Sequence, residues 1–391
     1  MRASLFTSAF VAVIVGFGGS VAIVLAGADG VGATAAQKAS WVTALCLAMF
    51  ATSAGLSWAH RKPIVTAWST PGAALIGATA VAGTPTIGIE AAVGAFLLAG
   101  ALVMLSAAIK PLADAIAKIP TAIAAAMLAG VLLGFSVAVF DSARQDPLLV
   151  LPLVGLFLIV RAVSATWAVI VVLVAGVAWS LILGRVADTA WGFSAPTLEW
   201  ITPEFDPTVL VGLGLPLFLV SMASQNLPGF AVLRAAGYEP PTRSSLAATG
   251  LASVLTAPFG GHTTTMAAIT ASLCTGPDTH PDADRRWPAG IVYGFMYLGL
   301  AVVGVTLVAG FAILPSALIV TIAGLALLGA LTGALGSALG DAPMRAHAVL
   351  TIVVTASSLS LFGIGSAFWG LAAGLGSLGI ERLLSRRTSG N

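Results

Sequence analysis

One stretch of this sequence cannot form an ordinary membrane-spanning helix, although apolar residues surround it. It reads Thr66-Ala-Trp-Ser-Thr-Pro-Gly-Ala-Ala-Leu75. Because Pro71 lacks an N–H and disfavours helical geometry in the residue before it, the pattern predicts extended backbone over 66–70 and a half-helix that begins at Pro71. Irregular backbone at membrane depth persists only where protein covers it or where it lines a cavity. The positive dipole end and free N–H groups of such a half-helix favour an anion, so the stretch indicates an anion-binding site.

A second stretch of the same character begins at Thr256, which lies 190 residues after Thr66 (256 minus 66). It also opens with a Thr-Ala pair, breaks at Pro258, and then enters small helix-forming residues up to Thr270. Two interrupted segments at corresponding places in two halves of an apolar chain are typical of a transporter built from repeats. The pair predicts one shared site where the two broken segments meet.

The composition indicates a polytopic α-helical membrane protein. Hydrophobic residues make up 58% of the 391 residues and charged residues only 8%, whereas about a quarter of a soluble domain is charged. A β-barrel would show short alternating segments instead of these long apolar runs. The net charge of +2 provides no basic surface for nucleic acid. Cys46 and Cys274 are expected to be buried free thiols, and the four histidines are scattered, so neither a metal nor a cofactor is expected.

Apolar runs and their breaks predict an all-α protein of fourteen transmembrane segments, at about 20 residues for each full crossing. Segments 3 and 10 are the broken ones, each with a short extended stretch and a half-helix. The predicted ranges are 5–26, 39–59, 64–80, 87–108, 120–140, 147–163 and 165–184, then 208–226, 244–256, 257–274, 288–310, 315–335, 346–361 and 364–384. Residues 185–207 form a polar extracytoplasmic linker between a first repeat, 1–184, and a second, 208–391.

The distribution of basic residues fits this topology with both termini in the cytoplasm. Of the 17 lysines and arginines, the inside loops collect 14 and the outside loops only Lys38, Arg144 and Arg185 (17 minus 3), as the positive-inside rule requires. The halves also share a motif, Ile119-Pro-Thr-Ala-Ile in one and Leu314-Pro-Ser-Ala-Leu in the other. Because each half has an odd number of spans, the repeats are predicted to be inverted.

The substrate site is predicted where segments 3 and 10 meet near the midplane. Facing half-helix N-termini suit a carboxylate, serine and threonine hydroxyls add donors, and two aromatic rings could stack on an aromatic ligand. The contributing residues are Trp68, Ser69, Thr70, Gly72 and Ala73 from segment 3, and Phe259, Gly260, Gly261, His262, Thr263 and Thr264 from segment 10.

Two further polar side chains enter the prediction, and His262 has a second predicted role. Gln225 and Asn226 at the end of the eighth span are costly in hydrocarbon unless they face a cavity or a partner helix. His262 is a candidate for proton coupling because its ordinary pKa is near neutrality. Two alternatives are that His262 is a neutral hydrogen-bonded side chain and that the substrate carboxylate itself carries the proton.

The loop from Cys274 to Trp287 is unusually polar for this chain. His280, Asp278 and Asp282 could in principle hold a metal, but their spacing is not diagnostic. The interpretation we favour is a cytoplasmic loop held by Asp–Arg pairs.

These motifs resemble the benzoate/proton symporter (BenE) family of bacterial inner-membrane transporters. The resemblance rests on five stretches that run the length of the chain. They are residues 56–75, residues 215–229 with Ser221-Met-Ala-Ser-Gln-Asn-Leu-Pro-Gly229, Ala268-Ile-Thr-Ala, His280-Pro-Asp, and Gly363-Ile-Gly-Ser-Ala-Phe-Trp-Gly-Leu371. The family is similar in plan to nucleobase and sulfate permeases, which implies a core domain and a gate domain that interleave both repeats.

The resemblance also implies a function. Acidic side chains hold the substrate in nucleobase permeases, and the matching positions here are Ser224 and His262. Carboxylates would repel an anionic substrate, so the departure is consistent with import of benzoate or a similar small aromatic carboxylate together with a proton. Relatives in this superfamily form dimers, so a homodimer in the lipid bilayer is expected.

Three other functions are weighed against this one. The substrate could be another organic anion or a nucleobase, or the chain could be a channel, which would show uptake without saturation or proton dependence. An enzyme is disfavoured because no nucleophile–base pair or His/Asp/Glu cluster falls at membrane depth.

Overall fold

The computed structural model describes residues 3–80, 86–109, 120–186, 192, 195–357, 359, 361–362 and 364–388, and they are mostly helical. Within these residues, seven helices are long and apolar enough to cross a membrane, and three shorter helices are also apolar. The chain is therefore a multi-pass membrane protein. Arg2, Lys110, Lys118 and the start of the fifth predicted span at Ile119 lie outside the described residues.

The elements of the first half, up to residue 186, are helices with one short strand. They are α1 (Ala3–Gly18), α2 (Val21–Gly30), α3 (Ala35–His60), β1 (Thr66–Trp68), α4 (Thr70–Gly77), α5 (Ile89–Ala108), α6 (Thr121–Gln145), α7 (Pro147–Val163) and α8 (Ala165–Ile182).

The second half again combines helices with one strand. The elements are α9 (Pro207–Ala235), α10 (Thr242–Thr256), β2 (Thr264–Met266), α11 (Ile269–Thr275), α12 (Pro288–Ala312), α13 (Ser316–Leu339), α14 (Arg345–Ala356) and α15 (Ser366–Thr388).

Local sequence explains several helix ends. The side chain of Thr34 accepts the N–H of Gln37 at 3.2 Å while the side chain of Gln37 accepts the N–H of Thr34 at 2.9 Å, so a reciprocal cap begins α3. Pro71 lies in the first turn of α4, and the side chain of Ser69 caps that turn. The half-helix predicted after Thr66-Ala-Trp is thus present, although it begins at Thr70, one residue earlier than expected.

The second broken segment differs from its prediction. Pro258 lies in a single 3-10 turn, Ala257–Phe259, that closes α10, and the half-helix α11 starts only at Ile269. Extended backbone with the strand β2 occupies the space between them. Pro258 ended a full helix instead of starting a half-helix because a proline in the first turn also suits a terminal 3-10 turn.

Two predicted spans also have different boundaries. The first span is two helices, because α1 ends at Gly18 and α2 begins at Val21. The eighth span continues to Ala235 and contains two π-helical turns, Leu210–Gly214 and Met222–Asn226. An apolar run gives no signal for either feature, since π turns and short breaks keep the same average hydropathy.

The helices pack in two groups, and each group takes members from both halves of the chain. In the first group α3 packs along α12, α5 along α10, and α2 against α4. In the second group α6 packs along α13 and α14, and α7 along α8. Contacts between the groups include those of α6 with α4 and with the second π turn of α9. Close approach of α2 to α4 needs Gly27, because a Cβ there would lie 2.8 Å from the Ala73 carbonyl oxygen.

The described part of the polar stretch 185–207 is attached to the first group. The N–H of Ile201 donates to the carbonyl of Pro258 at 2.7 Å, and the N–H of Glu204 donates to the carbonyl of Glu90 at 2.9 Å. These bonds hold the stretch across the ends of α5 and α10.

Candidate functional site

A two-stranded antiparallel ladder joins the two broken segments. Thr66 pairs with Met266 and Trp68 pairs with Thr264. Each strand leads into a half-helix, so the antiparallel register places the N-termini of α4 and α11 at opposite ends of the ladder, about 10 Å apart for three strand residues. The segments therefore meet as expected, but their half-helix ends flank the ladder and do not face each other across one point.

Three buried hydroxyls fix the N-terminus of α4. Ser69 Oγ accepts the N–H of Gly72 at 3.0 Å and the hydroxyl of Ser221 at 3.3 Å. The hydroxyls of Ser221 and Thr263 lie 3.1 Å apart, and the N–H of Ser69 donates to the carbonyl of Thr263 at 3.0 Å. This serine–threonine cluster links α4, α9 and the backbone before β2. A charged side chain is not part of it.

His262 is fully buried beside this cluster and makes two hydrogen bonds. The indole N–H of Trp41 donates to Nδ1 of His262 at 3.0 Å. Because a carbonyl can only accept, Nε2 donates to the carbonyl of Ser69 at 3.0 Å. Both ring nitrogens are satisfied in the neutral tautomer. A proton on Nδ1 would oppose the Trp41 N–H, so this geometry favours a positioning role over proton uptake.

Trp68 lies in an aromatic group and is 2% exposed. Its indole N–H donates to Ser20 Oγ at 2.8 Å, in the break between α1 and α2. Its ring lies 5.6 Å from Phe17 and 6.1 Å from Tyr297. The hydroxyl of Tyr297 is buried without a hydrogen-bond partner among the described residues. The ring of Trp68 thus packs against protein on these sides.

The second π turn of α9 separates the roles of three predicted residues. Asn226 is buried, and its Oδ1 accepts the N–H of Met266 at 2.9 Å, so this amide supports β2. Ser224 is half-buried and donates to the carbonyl of Val220. Gln225 is half-buried, and no described residue forms a hydrogen bond with its amide. Gln225 therefore keeps access to the surface within a π turn, a feature that often occurs at functional sites, and it stays a candidate site residue.

Two residues at the start of the second broken segment, Phe259 and Gly260, pack against tryptophan side chains. Phe259 stacks edge-on against Trp200 at 5.6 Å, and Trp200 is 62% exposed. Phe259 and Trp68 therefore belong to different aromatic groups. Gly260 has a φ of +91°, and a Cβ there would lie 3.0 Å from Trp41 Cβ. This glycine allows the chain to turn tightly over Trp41.

The remaining predicted residues divide into buried and accessible ones. Gly72 packs against Leu217, and Ala73 packs against α2 through its carbonyl. Gly261 and Thr264 are buried, and the hydroxyl of Thr264 has no partner among the described residues. Thr70 is the half-buried residue in the first turn of α4. Of the polar residues in the predicted site, three remain partly exposed: Thr70, Ser224 and Gln225.

Sequence reasoning missed several residues that hold the site together. Hydrogen bonds to the broken segments come from Trp41, Ser20 and Ser253. For example, Ser253 Oγ accepts the N–H of Thr264 at 2.8 Å. The available signal was small polar residues in the middle of apolar spans, which are costly there unless paired. Within the described residues, no group of three or more His, Cys, Asp or Glu side chains is arranged to hold a metal. Both cysteines are buried free thiols, as expected.

Comparison with known proteins gives the family. A family profile described as "Benzoate membrane transport protein" matches residues 1–380. The chain belongs to this benzoate membrane transport family. It is a family of membrane transporters and not of enzymes. The resemblance noted in the sequence is thereby confirmed.

Two relatives match over nearly their whole length. "Inner membrane protein YdcO" of Escherichia coli (strain K12) is 41% identical over 365 residues, which cover 93% of this chain and 92% of the relative. "Benzoate membrane transport protein" of Acinetobacter baylyi is 36% identical over 367 residues, which cover 94% of this chain and 92% of the relative.

Solved structures show the same fold at low identity. The transmembrane domain of the cyanobacterial bicarbonate transporter BicA matches with a TM-score of 0.63 and 16% identity, covering 96% of this chain and 97% of that one. The murine anion transporter Slc26a9 in the inward-facing state matches with a TM-score of 0.61 and 12% identity, covering 98% of this chain and 68% of that one. The family member described here therefore has the fold of these anion transporters.

Proposed function

We propose that this chain is a secondary active transporter that imports benzoate or a similar aromatic carboxylate together with a proton. The proposal includes fourteen spans in two inverted repeats, both termini in the cytoplasm and a location in the bacterial inner membrane. It is supported by family membership and by the fold shared with anion transporters.

One structural observation carries the assignment to an anion. The ladder of β1 and β2 holds the N-terminus of α4 against α9, where Thr70 and Gln225 remain accessible. These groups and the helix end are neutral donors, and among the described residues of the serine–threonine cluster no carboxylate opposes an anion. The carboxylate of the substrate would accept from Thr70 and Gln225 at this end of the ladder.

The proton completes the charge balance. A monoanion that enters with one proton crosses without net charge, which removes the cost of about 2.3 kcal/mol per charge for each 100 mV of membrane potential. His262 is the protein residue that the sequence offers as a carrier. Because its hydrogen bonds satisfy the neutral tautomer, the proposal assigns the proton to the substrate carboxylate and positioning to His262.

The two packing groups support an alternating-access mechanism. The first group, which holds both broken segments, acts as the core domain, and the group of α6–α8 with α13–α15 acts as the gate domain. Movement of the core against α6 would open the end of α4 to each side in turn. The superfamily resemblance implies a homodimer, which cross-linking in native membranes would test.

The experiment is uptake of radiolabelled benzoate into proteoliposomes. We expect saturable uptake that an inward proton gradient stimulates, and we expect a proton ionophore to abolish this stimulation. Uptake that does not saturate would indicate a channel. Uptake of uracil, sulfate or bicarbonate without uptake of benzoate would refute the assigned substrate.

A further inference from the structure

A buried guanidinium lies in the loop that follows half-helix α11. Arg286 is 8% exposed. Its Nε donates to the carbonyl of His280 at 2.6 Å, Nη1 to that of Thr275 at 2.8 Å and Nη2 to that of Pro281 at 3.2 Å. Sequence reasoning expected Asp–Arg pairs in this loop. One is present, between Arg285 and Asp282, but Arg286 instead binds three backbone carbonyls.

The charge of Arg286 has no acidic partner among the described residues. None of the ion pairs within 4.0 Å includes it. Burial raises the pKa of the neighbouring Tyr238 hydroxyl, and Arg286 offsets part of that rise. An arginine has five N–H groups, so at least one remains after the three carbonyls and a contact with Tyr238. Carbonyl dipoles satisfy hydrogen bonds but leave the full positive charge in place.

A cavity of about 490 Å³ borders this guanidinium. Val232, Ala235 and Pro277 provide apolar wall, and Ser272 and Thr275 add hydroxyls. Among the described residues that line the cavity, Arg286 is the one charged side chain. A pocket with apolar walls and a single cation suits a ligand that combines one negative charge with an apolar body.

We propose that this cavity, the Arg286 pocket, is a second binding site for the transported monocarboxylate, on its route to the cytoplasm. The inference rests on the proposed function. The carboxylate would accept from the free N–H of Arg286, and its apolar part would lie against Val232 and Ala235. A phosphate dianion fits less well, because one guanidinium would leave part of its charge without a partner.

The pocket is separate from the candidate site described above. It lies at the C-terminal end of α11, at Ser272 to Gly276, whereas the ladder precedes the N-terminus of that helix at Ile269. Seven helical residues span about 10 Å, so one small carboxylate cannot contact both places. Release from the ladder toward Arg286 would give the substrate a stepwise exit.

The test compares transport from the two faces of the membrane. Right-side-out vesicles present the outer face, and inverted vesicles present the cytoplasmic face, with labelled benzoate as the probe. Ala235→Phe fills the pocket without removing any hydrogen bond of Arg286, and Arg286→Gln removes the charge. Ala346→Phe, at a likewise exposed alanine on α14, is the matched control.

We expect Ala235→Phe and Arg286→Gln to raise the half-saturating benzoate concentration about tenfold from the cytoplasmic face, the loss typical of one charged hydrogen bond. The half-saturating concentration measured from the outer face, and that of the control variant from either face, should change less than about twofold. Equal changes at both faces, or no change in Ala235→Phe, would overturn the inference. So would an effect seen only in vesicles containing phosphatidylglycerol and not in phosphatidylcholine, because a lipid phosphate would then be the ligand. If the wild-type protein transports no benzoate from either face, the proposed function fails instead.

Discussion

Replacing His262 tests whether this histidine positions the site or carries the proton. In His262→Ala, the Trp41 N–H and the Ser69 carbonyl lose their partners in a fully buried place. Each buried polar group left unsatisfied costs about 1–3 kcal/mol, so the variant should lose about 2–6 kcal/mol before any cavity is counted. In His262→Gln, the side-chain amide can accept from Trp41 and donate to Ser69, so most of that loss should be recovered.

The assay combines thermal unfolding in detergent with benzoate uptake in proteoliposomes. We expect His262→Ala to unfold at a clearly lower temperature, and His262→Gln to unfold near the wild-type temperature and to keep uptake stimulated by an inward proton gradient. Trp41→Phe is the matched control, because it removes the same hydrogen bond and keeps a titratable imidazole. If His262→Gln transports benzoate down its own gradient but no longer responds to the proton gradient, His262 carries the proton and our reasoning is wrong.

Three further predictions concern neighbouring residues. Gln225→Leu should raise the half-saturating benzoate concentration about tenfold or more with little change in thermal stability, because its accessible amide would lose a bond to a charged ligand; an unchanged value in uptake assays would remove it from the site. Asn226→Leu should instead lower the unfolding temperature, because its Oδ1 holds the N–H of Met266, and a stable variant with weakened binding would contradict this. Gly260→Ala should lose about 1–3 kcal/mol of stability by chemical denaturation, because its φ is +91°. Gly134→Ala is the control: it meets no atom within 4 Å and lies inside helix α6, so it should keep or slightly raise stability, by at most about 1 kcal/mol.

The fold was predictable from sequence wherever one residue forces the backbone. Pro71 predicted extended backbone followed by a half-helix, and the structure has β1 and α4 at that place. The apolar run 147–163 begins at Pro147 and is followed by Ser164, and its predicted bounds match those of α7. Pro258 misled the prediction, because a proline marks a break in a helix but does not determine the structure on its C-terminal side.

The site was less predictable, because its geometry depends on pairings between residues far apart in the sequence. Ser221 meets Ser69 and Thr263, and Trp41 meets His262 across 221 residues. Polarity at membrane depth correctly marks such residues as needing partners, but it does not choose among partners. Asn226 and Gln225 are adjacent and chemically alike, and only the π turn decides which of them supports β2.

The β1–β2 ladder has a consequence for how the protein can be made. Each strand comes from a different half of the chain, so a fragment that ended before α9 would carry β1 without the strand that pairs with it in the bilayer. The two fragments should accumulate when they are expressed together, because each provides the strand that pairs with the other. Each fragment should be degraded when it is expressed alone.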